Sequence, residues 1–303
     1  MKRVFIDGSS GTTGLRIRER LSAREDIDLI MLPDEKRKDT DAKKQALNEC
    51  DIAFLCLPDA AAAESVGLIE NPSTAVIDTS TAHRVSEGWT YGFAEIGSLR
   101  KEIAASRRVT NPGCHASGFI ALIRPLIEAG IISPDEQLIC FSLTGYSGGG
   151  KKMIAEYEAE ERNPLLDAPR MYGLGQQHKH LPEMQKVCGL NACPAFCPIV
   201  APYFSGMEVT VPLFGKNRKV VEQVYSDYYK NGLVRFAKDE SEDGFLSAGL
   251  MSGRDDMTVS VYGNDERLIL VSRFDNLGKG ASGAAIQNMN IMLGLNEYTG
   301  LVI

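Results

Sequence analysis

Short apolar runs punctuate the first third of the chain: Val4-Phe5-Ile6, Asp28 to Leu32, Ile52 to Leu57, Ala75-Val76-Ile77, and Val109 leading into Thr110. Between them lie segments of helical character, such as Leu15, Ile17 and Leu21, and the Ala-rich stretch after Pro58-Asp59. Strand runs alternating with helical patterns predict an α/β fold with a doubly wound parallel sheet. Phe119, Leu122, Ile123, Leu126 and Ile127 then repeat at helical spacing, predicting a helix over 119–132. Beyond it the texture changes. Gln137 to Leu143, Val200 to Tyr203, Glu208 to Phe214, Met257 to Tyr262 and Arg267 to Phe274 read as strands, and a last helix runs from Ala284 to Leu295. The second half therefore predicts an α+β unit on a mixed, largely antiparallel sheet.

The loops between these elements carry the candidate chemistry. The first run ends in Gly8-Ser9-Ser10-Gly11-Thr12-Thr13-Gly14 before a helix. Strand, glycine turn and helix can seat a pyrophosphate on helix N–H groups. The spacing is G-x-x-G-x-x-G, so an ordinary glycine-rich turn is the competing reading. The second run ends Pro33-Asp34-Glu35-Lys36-Arg37-Lys38. Its cations, with the hydroxyls of the glycine loop, lean towards a 2′-phosphate and hence NADP(H); a solvated charged face is the alternative. Arg84 follows the fourth run at a strand's carboxyl end, where such sheets bind ligands, and is a candidate anion clamp. Consecutive glycines beside two lysines, Gly148 to Lys152, form a possible anion nest, and G-x-x-x-x-G-K-[ST] is not met.

Asn111-Pro112-Gly113-Cys114 delivers a cysteine to the start of the apolar helix. The macrodipole and unpaired N–H groups there favour a thiolate and can hold an oxyanion. Cys114 is thus either a nucleophile or a small buried residue filling space. His178 and His180 are candidate acid/base partners for it. His115 follows Cys114 directly, and the 100° step between successive helical residues predicts that it faces away from the sulfur's partner. No third ligand accompanies the His-x-His pair, and Cys188, Cys193 and Cys197 lack a zinc spacing, so no metal site is expected and those thiols read as packing residues.

Bulk numbers narrow the class. The chain has 303 residues, 44% hydrophobic and 24% charged, with a net charge of −7. That composition suits a soluble globular protein of enzyme size and gives nucleic acid no electrostatic footprint. No run is long and apolar enough for a membrane span, and the N-terminal apolar run is too short for a signal peptide. Seven cysteines, an odd number, fit reduced thiols in the cytoplasm.

Taken together, the motifs resemble those of N-acetyl-gamma-glutamyl-phosphate reductase in its shorter branch. The matching pieces are Gly8 to Gly14, Phe54-Leu55-Cys56-Leu57-Pro58, Asp78 to Arg84, Asn111 to Cys114, Gly145 to Lys151, His178-Lys179-His180-Leu181-Pro182-Glu183, and Asn276 to Ala281. They run from end to end in the family's order. Aspartate-semialdehyde dehydrogenase shares the fold and chemistry without the His-x-His-x-Pro-Glu signature. One position departs, since His115 stands where the family commonly has Tyr.

The resemblance implies a semialdehyde dehydrogenase-like fold. A Rossmann-type NADP-binding domain would span 1–113 plus the C-terminal helix, 281–303, and a catalytic and oligomerisation domain would span 114–280. It implies NADPH-dependent reduction of N-acetyl-5-glutamyl phosphate to N-acetylglutamate 5-semialdehyde through a Cys114 thioester, in arginine synthesis. His180 carries over as acid/base, with His178 as substrate contact or substitute. Substrate or phosphate contacts carry over to Arg84, Asn111, Ser147, Gly148 and Lys151. Cofactor contacts carry over to Gly8, Ser10, Gly11, Thr12, Thr13, Gly14, Arg37, Pro58, Ser80 and Asn276. A homotetramer is implied. The same chemistry on another acyl phosphate, of the aspartyl or aminoadipyl type, is the alternative.

Overall fold

The computed structural model describes residues 1–9 and 11–303, so the expected contact at Ser10 lies outside the described residues. The chain divides into two compact units, Met1–Pro112 with Ala281–Leu301, and Gly113–Gly280 with Val302–Ile303. The last two residues thus lie with the second unit and not, as expected, with the first. Val302 N–H donates to Asp255 Oδ2 at 2.8 Å there.

The first unit is built on strands β1 (Lys2–Asp7), β2 (Ile27–Ile30), β3 (Ile52–Leu55), β4 (Ala75–Asp78), β5 (Thr90–Tyr91) and β6 (Arg108–Thr110), with helices α1 (Thr12–Ser22), α2 (Thr40–Glu49), α3 (Asp59–Gly67) and α4 (Leu99–Ala105). The sheet order is β2-β1-β3-β4-β6-β5, with every pairing parallel. The period of two along each strand splits the core. Val4, Ile6, Ile52, Phe54 and Ile77 pack on one side with Ile17 and Leu21 of α1. Phe5, Ala53, Leu55 and Val76 pack on the other with Leu47 of α2 and Ala62 of α3. Burying each large aliphatic contributes roughly 1.5–3 kcal/mol. Neither α2 nor α4 is marked by a strong apolar stripe. Their buried residues are Ala46 and Leu47 in α2 and Ile103 in α4, and α2 is secured instead by its N-cap Asp39, which accepts the Ala42 N–H at 2.8 Å.

The second unit opens with helix α5 (Cys114–Glu128) and continues through β7 (Ile139–Gly145), α6 (Gly150–Glu158), β8 (Arg170–Met171), α7 (Leu181–Cys188), β9 (Ala195–Ala201), β10 (Met207–Phe214), α8 (Arg218–Tyr228), β11 (Val234–Phe236), β12 (Met257–Asn264) and β13 (Arg267–Phe274). The sheet order is β11-β12-β13-β10-β7-β9-β8. β11 with β12 and β7 with β9 are parallel, and the other four pairings are antiparallel. Helix α5 lies close on the strands: a Cβ on Gly118 would fall 2.4 Å from Val209 Cγ2, so only glycine fits. Pro125 sits inside α5 and cannot bond the Ala121 carbonyl. The Tyr229 hydroxyl takes that carbonyl at 2.7 Å, and the Tyr225 hydroxyl takes Leu122 O at 2.5 Å. The helix therefore keeps its course through a proline because two buried tyrosines satisfy its backbone.

Several boundaries differ from the sequence reading. The strand expected over Gln137 to Leu143 is Ile139–Gly145, and the one expected over Val200 to Tyr203 is Ala195–Ala201. The polar stretch after the glycines contains α6, whose start at Gly150 has φ +71°. The last helix, α9, is Gly283–Met292 and belongs to the first unit, where Ala285, Ile286 and Met289 join the core beside Ile6 and Phe54.

Candidate active site

Gly113 is the N-cap of α5 and Cys114 its first helical residue. The first intrahelical bond runs from Ser117 N–H to Gly113 O, at 2.8 Å. The N–H groups of Cys114, His115 and Ala116 precede that bond, so Cys114 stands at the positive end of a fifteen-residue helix. Cys114 is half-buried. A Cβ on Gly280 would fall 2.9 Å from Cys114 Cβ, so the chain leaves no room for a side chain there. Burial pushes the Cys50 and Cys56 thiols up to about 12, and pushes Cys140 and Cys188 up as well, which keeps these four protonated and inert.

Three imidazoles gather at this helix end. The expectation that His115 faces away from the others is corrected: its ring centroid lies 5.7 Å from that of His178 and 5.5 Å from that of His180. The 100° step does turn His115 away from Cys114, yet it does not isolate the ring, because partners pack on more than one face of the helix end. Here β7, β9 and the segment Tyr172 to His180 wrap the helix end from several sides. His115 Nδ1 lies 2.7 Å from Ser142 Oγ, and Nε2 lies 2.7 Å from the Tyr172 hydroxyl. Burial, reinforced by His178, lowers its pKa to about 3, so the ring is neutral in use. Burial and the neighbouring Cys114 charge raise the Tyr172 phenol.

His178 and His180 lie on neither strand nor helix interior. His178 sits in the turn before α7, and His180 is that helix's N-cap. The His180 N–H donates to His178 Nδ1 at 3.2 Å, which puts the proton of neutral His178 on Nε2. The two rings meet edge to face at 4.7 Å. Glu183, in the first turn of α7 and fully buried, accepts the Gly113 N–H on Oε2 at 3.1 Å. Sequence reasoning misses Glu183, Tyr172 and Ser142. Glu183 falls within the His178 to Glu183 motif, whereas Tyr172 and Ser142 carry no signal apart from the fold.

In the same unit, Ser147 Oγ accepts from Asn276 Nδ2 at 3.0 Å, and Asn276 Oδ1 accepts from Gly206 N–H at 2.9 Å. Both residues are buried, so the expected cofactor contact Asn276 has its side chain committed at both ends to holding the loop that bears Ser147 and Gly148. Lys151 lies exposed in the first turn of α6.

The first unit holds the remaining candidates. Gly8 has φ +88°, and a Cβ there would fall 2.2 Å from Cys56 O; one on Gly14 would fall 2.5 Å from Gly8 O. Both glycines are thus required by the turn, with Gly11 as N-cap and Thr12 and Thr13 opening α1. A cavity of about 370 Å³ lies beside it, lined by Gly8, Asp34, Arg37, Lys38 and Lys43 among others. Arg37 pairs with Asp34 at 2.6 Å, while its Nε is buried and has no hydrogen-bond partner among the described residues. Lys43, passed over in the sequence reading, lies 3.3 Å from buried Asp7. Pro58 is exposed at the N-cap of α3. Buried Asp78 organises the next loop: it accepts from Ser80 N–H at 2.8 Å and Ser80 Oγ at 2.9 Å, and meets His83 Nδ1 at 2.6 Å. Arg84 donates from Nε to Asn111 O at 3.0 Å and from a terminal nitrogen to Thr79 O at 3.2 Å. Asn111 Nδ2 donates to Ala281 O at 2.9 Å. Among the described residues, no His, Cys, Asp and Glu side chains group so as to hold a metal ion, and no helix is long and apolar enough to cross a membrane.

Comparison with known proteins supplies the lineage. The chain matches the profile described as semialdehyde dehydrogenase, NAD binding domain, over residues 3–106, and that described as semialdehyde dehydrogenase, dimerisation domain, over 114–276. It is 43% identical over 318 residues to N-acetyl-gamma-glutamyl-phosphate reductase 2 of Nostoc sp., covering 99% of each chain. It is 44% identical over 307 residues to N-acetyl-gamma-glutamyl-phosphate reductase of Mesorhizobium japonicum, covering 97% of this chain and 99% of that one. The chain belongs to the N-acetyl-gamma-glutamyl-phosphate reductase family.

Its fold is that of the wider semialdehyde dehydrogenases. Aspartate semialdehyde dehydrogenase II of Vibrio cholerae superposes with a TM-score of 0.73 at 16% identity, over 97% of this chain and 98% of that one. The enzyme of Candida albicans, solved with NADP, gives 0.70 at 16% identity, over 97% and 98%. Family membership makes the chain an oxidoreductase of amino-acid biosynthesis with a nicotinamide-binding domain and a dimerisation domain.

Proposed function

We propose that this chain reduces N-acetyl-5-glutamyl phosphate to N-acetyl-L-glutamate 5-semialdehyde, with NADPH as reductant and release of phosphate, in arginine synthesis. The observation that carries the reading is Cys114 at the first position of α5 with three imidazoles packed at that helix end. The Cys114 thiolate attacks the acyl carbon, the bond from carbon to the phosphate oxygen breaks, and phosphate leaves a thioester on the sulfur. Bound NADPH supplies the hydride that reduces this thioester. His180 protonates the developing oxyanion and then takes the proton back, so that the carbon–sulfur bond breaks, the aldehyde leaves and the thiolate is restored. Backbone N–H groups at the start of α5 stabilise the oxyanion throughout.

For the substrate's charged groups we propose Arg84, Asn111, Ser147, Gly148 and Lys151. The nicotinamide cofactor is proposed to be NADP(H), held by the glycine turn Gly8 to Gly14, with Pro58, Ser80 and Asn276 as further contacts and Arg37 reading the 2′-phosphate. The cavity's residues fit that group: Arg37 Nε is a buried donor with no partner among the described residues, and Lys38 and Lys43 line the same cavity. The proposed homo-oligomer, a tetramer on the resemblance, is supported by the face of the seven-stranded sheet that leaves Ile139, Phe141, Phe214 and Ile269 exposed. A cytoplasmic setting is supported by the seven cysteines, none of which is in a disulfide among the described residues. The test is an NADPH-linked assay with N-acetyl-5-glutamyl phosphate beside aspartyl phosphate, wild type against Cys114→Ser. Turnover of the first substrate alone, lost in the variant, is expected. Preference for aspartyl phosphate, or activity surviving the substitution, overturns the reading.

A further inference from the structure

A glutamate three residues beyond a helix N-cap ordinarily reaches back to the N-cap's own backbone N–H, closing a capping box. Glu183 stands at that position of α7, behind the N-cap His180. In this chain the His180 N–H is taken instead by His178 Nδ1, at 3.2 Å. Glu183 is thereby released from the local cap. Its Oε2 crosses to another element and accepts the N–H of Gly113, at 3.1 Å. Gly113 is the N-cap of α5, the residue immediately before Cys114. The glutamate is 1% exposed, so this bond is made out of reach of bulk water. At the other end of the same helix pair, an Arg124 terminal nitrogen donates to Val187 O at 3.0 Å. Helix α7 is therefore fastened to α5 at both ends, and the fastening nearer the sulfur includes the bond from Gly113 N–H to Glu183 Oε2.

We infer that Glu183 is a positioning residue that sets the nucleophile against the acid/base segment. It fixes the entry of the chain into α5, and with it the direction of Cys114, relative to the turn that carries His178 and His180. What matters on this account is an acceptor atom at the right reach, not the negative charge. His178 is the second half of the device, since its Nδ1 satisfies the cap that Glu183 would otherwise serve. The inference rests on the reading of Cys114 as nucleophile and adds to it the means by which the sulfur is held.

The test uses the full-length protein with Glu183→Gln, Glu183→Asp and Glu183→Ala, alongside Cys114→Ser. Measured are kcat and KM with N-acetyl-5-glutamyl phosphate and NADPH, the rate of iodoacetamide modification at Cys114, and the urea midpoint. Gln keeps a carbonyl oxygen at the same reach and should stay within a few-fold of wild type in kcat. Asp keeps the charge but withdraws the oxygen by one methylene, and it should lose kcat by about 10–100-fold with little change in KM, the usual consequence of displacing a reacting group by about 1 Å. Ala should lose at least as much. The reverse order, Asp active and Gln inactive, would show that charge and not reach matters and would overturn the inference; so would Asp and Ala variants with wild-type kcat. If Ala fails to fold, the comparison of Gln with Asp decides alone. Activity in Cys114→Ser sinks the nucleophile reading itself, whereas an inactive Cys114→Ser beside unaffected Glu183 variants sinks only the positioning role.

Discussion

Gly280→Ala is a test of how tightly the nucleophile is seated. Gly280 has no positive φ, so alanine is free to adopt its backbone and the effect is purely one of space. The added methyl would stand 2.9 Å from Cys114 Cβ, 3.1 Å from Asp275 O and 3.2 Å from Phe274 Cε2. Carbon atoms pack at about 3.5–4.0 Å, so Cys114 must retreat by about 0.6–1 Å or the chain around 275–280 must yield. Asp275 is poorly placed to yield: its carboxylate accepts Gly253 N–H at 2.6 Å and Leu277 N–H at 2.9 Å. The displacement should therefore fall on Cys114. Overpacking of this kind costs about 1–3 kcal/mol in stability. A sulfur moved by about 1 Å from its line of attack costs about 100-fold in rate. The expected result is a folded protein with a modestly lowered urea midpoint, kcat reduced by about 100-fold, KM nearly unchanged, and slower alkylation of Cys114. A kcat within a few-fold of wild type in a protein that melts normally would refute the argument.

Further outcomes follow from other contacts. Arg37→Ala should weaken NADPH by about 1.5–3 kcal/mol and leave NADH almost untouched in titrations of cofactor binding, because only the 2′-phosphate would meet that guanidinium; equal weakening of both places the phosphate elsewhere. His115 has its folded pKa lowered to about 3 against an ordinary 6.5. Between those values the unfolded chain binds the extra proton, so acidification below about pH 6.5 should destabilise the wild type by up to about 1.4 kcal/mol per pH unit. Urea midpoints of His115→Asn should fall less steeply from pH 7 to 5, and identical slopes would contradict the assignment. Tyr229→Phe should strand the Ala121 carbonyl and cost about 1–3 kcal/mol in urea unfolding without altering KM; an unchanged midpoint would mean that another donor reaches that carbonyl.

Sequence periodicity read the parallel sheet well because its strands are buried on both faces and show as dense apolar runs. Val4 to Ile6, Ile52 to Leu55 and Ala75 to Ile77 each fall inside a strand of the first unit. Helices α2 and α4 were invisible because they bury one or two small or isolated apolar residues. In the second unit the ends of β7 and β9 slipped by two or more residues. Cys197-Pro198 interrupts the pattern of β9, although the strand tolerates the proline and pairs in parallel with β7 through that position. The placement of Cys114 at a helix start was readable from Pro112-Gly113 followed by helical spacing. The neighbours of His115 were not: Ser142, Tyr172 and Phe196 come from three separate segments, and no local spacing encodes their convergence.

The three imidazoles differ in what their nitrogens are already doing, and this argues for a division of labour. His115 has both nitrogens engaged, one with Ser142 and one with Tyr172, and burial holds it neutral far below the pH of catalysis. A group whose proton affinity is that low is a poor carrier near neutrality, since an acid/base catalyst works best with a pKa close to the ambient pH. His178 lends Nδ1 to the His180 backbone, so protonating it there would break the turn that presents its neighbour. That bond makes His178 a part of the scaffold. The proton-carrying role proposed for His180 is the one that neither of the others can take without undoing a hydrogen bond the site is built on. His115 then adds no second base; it adds a neutral ring bonded to Ser142 and Tyr172 and packed against the other two imidazoles.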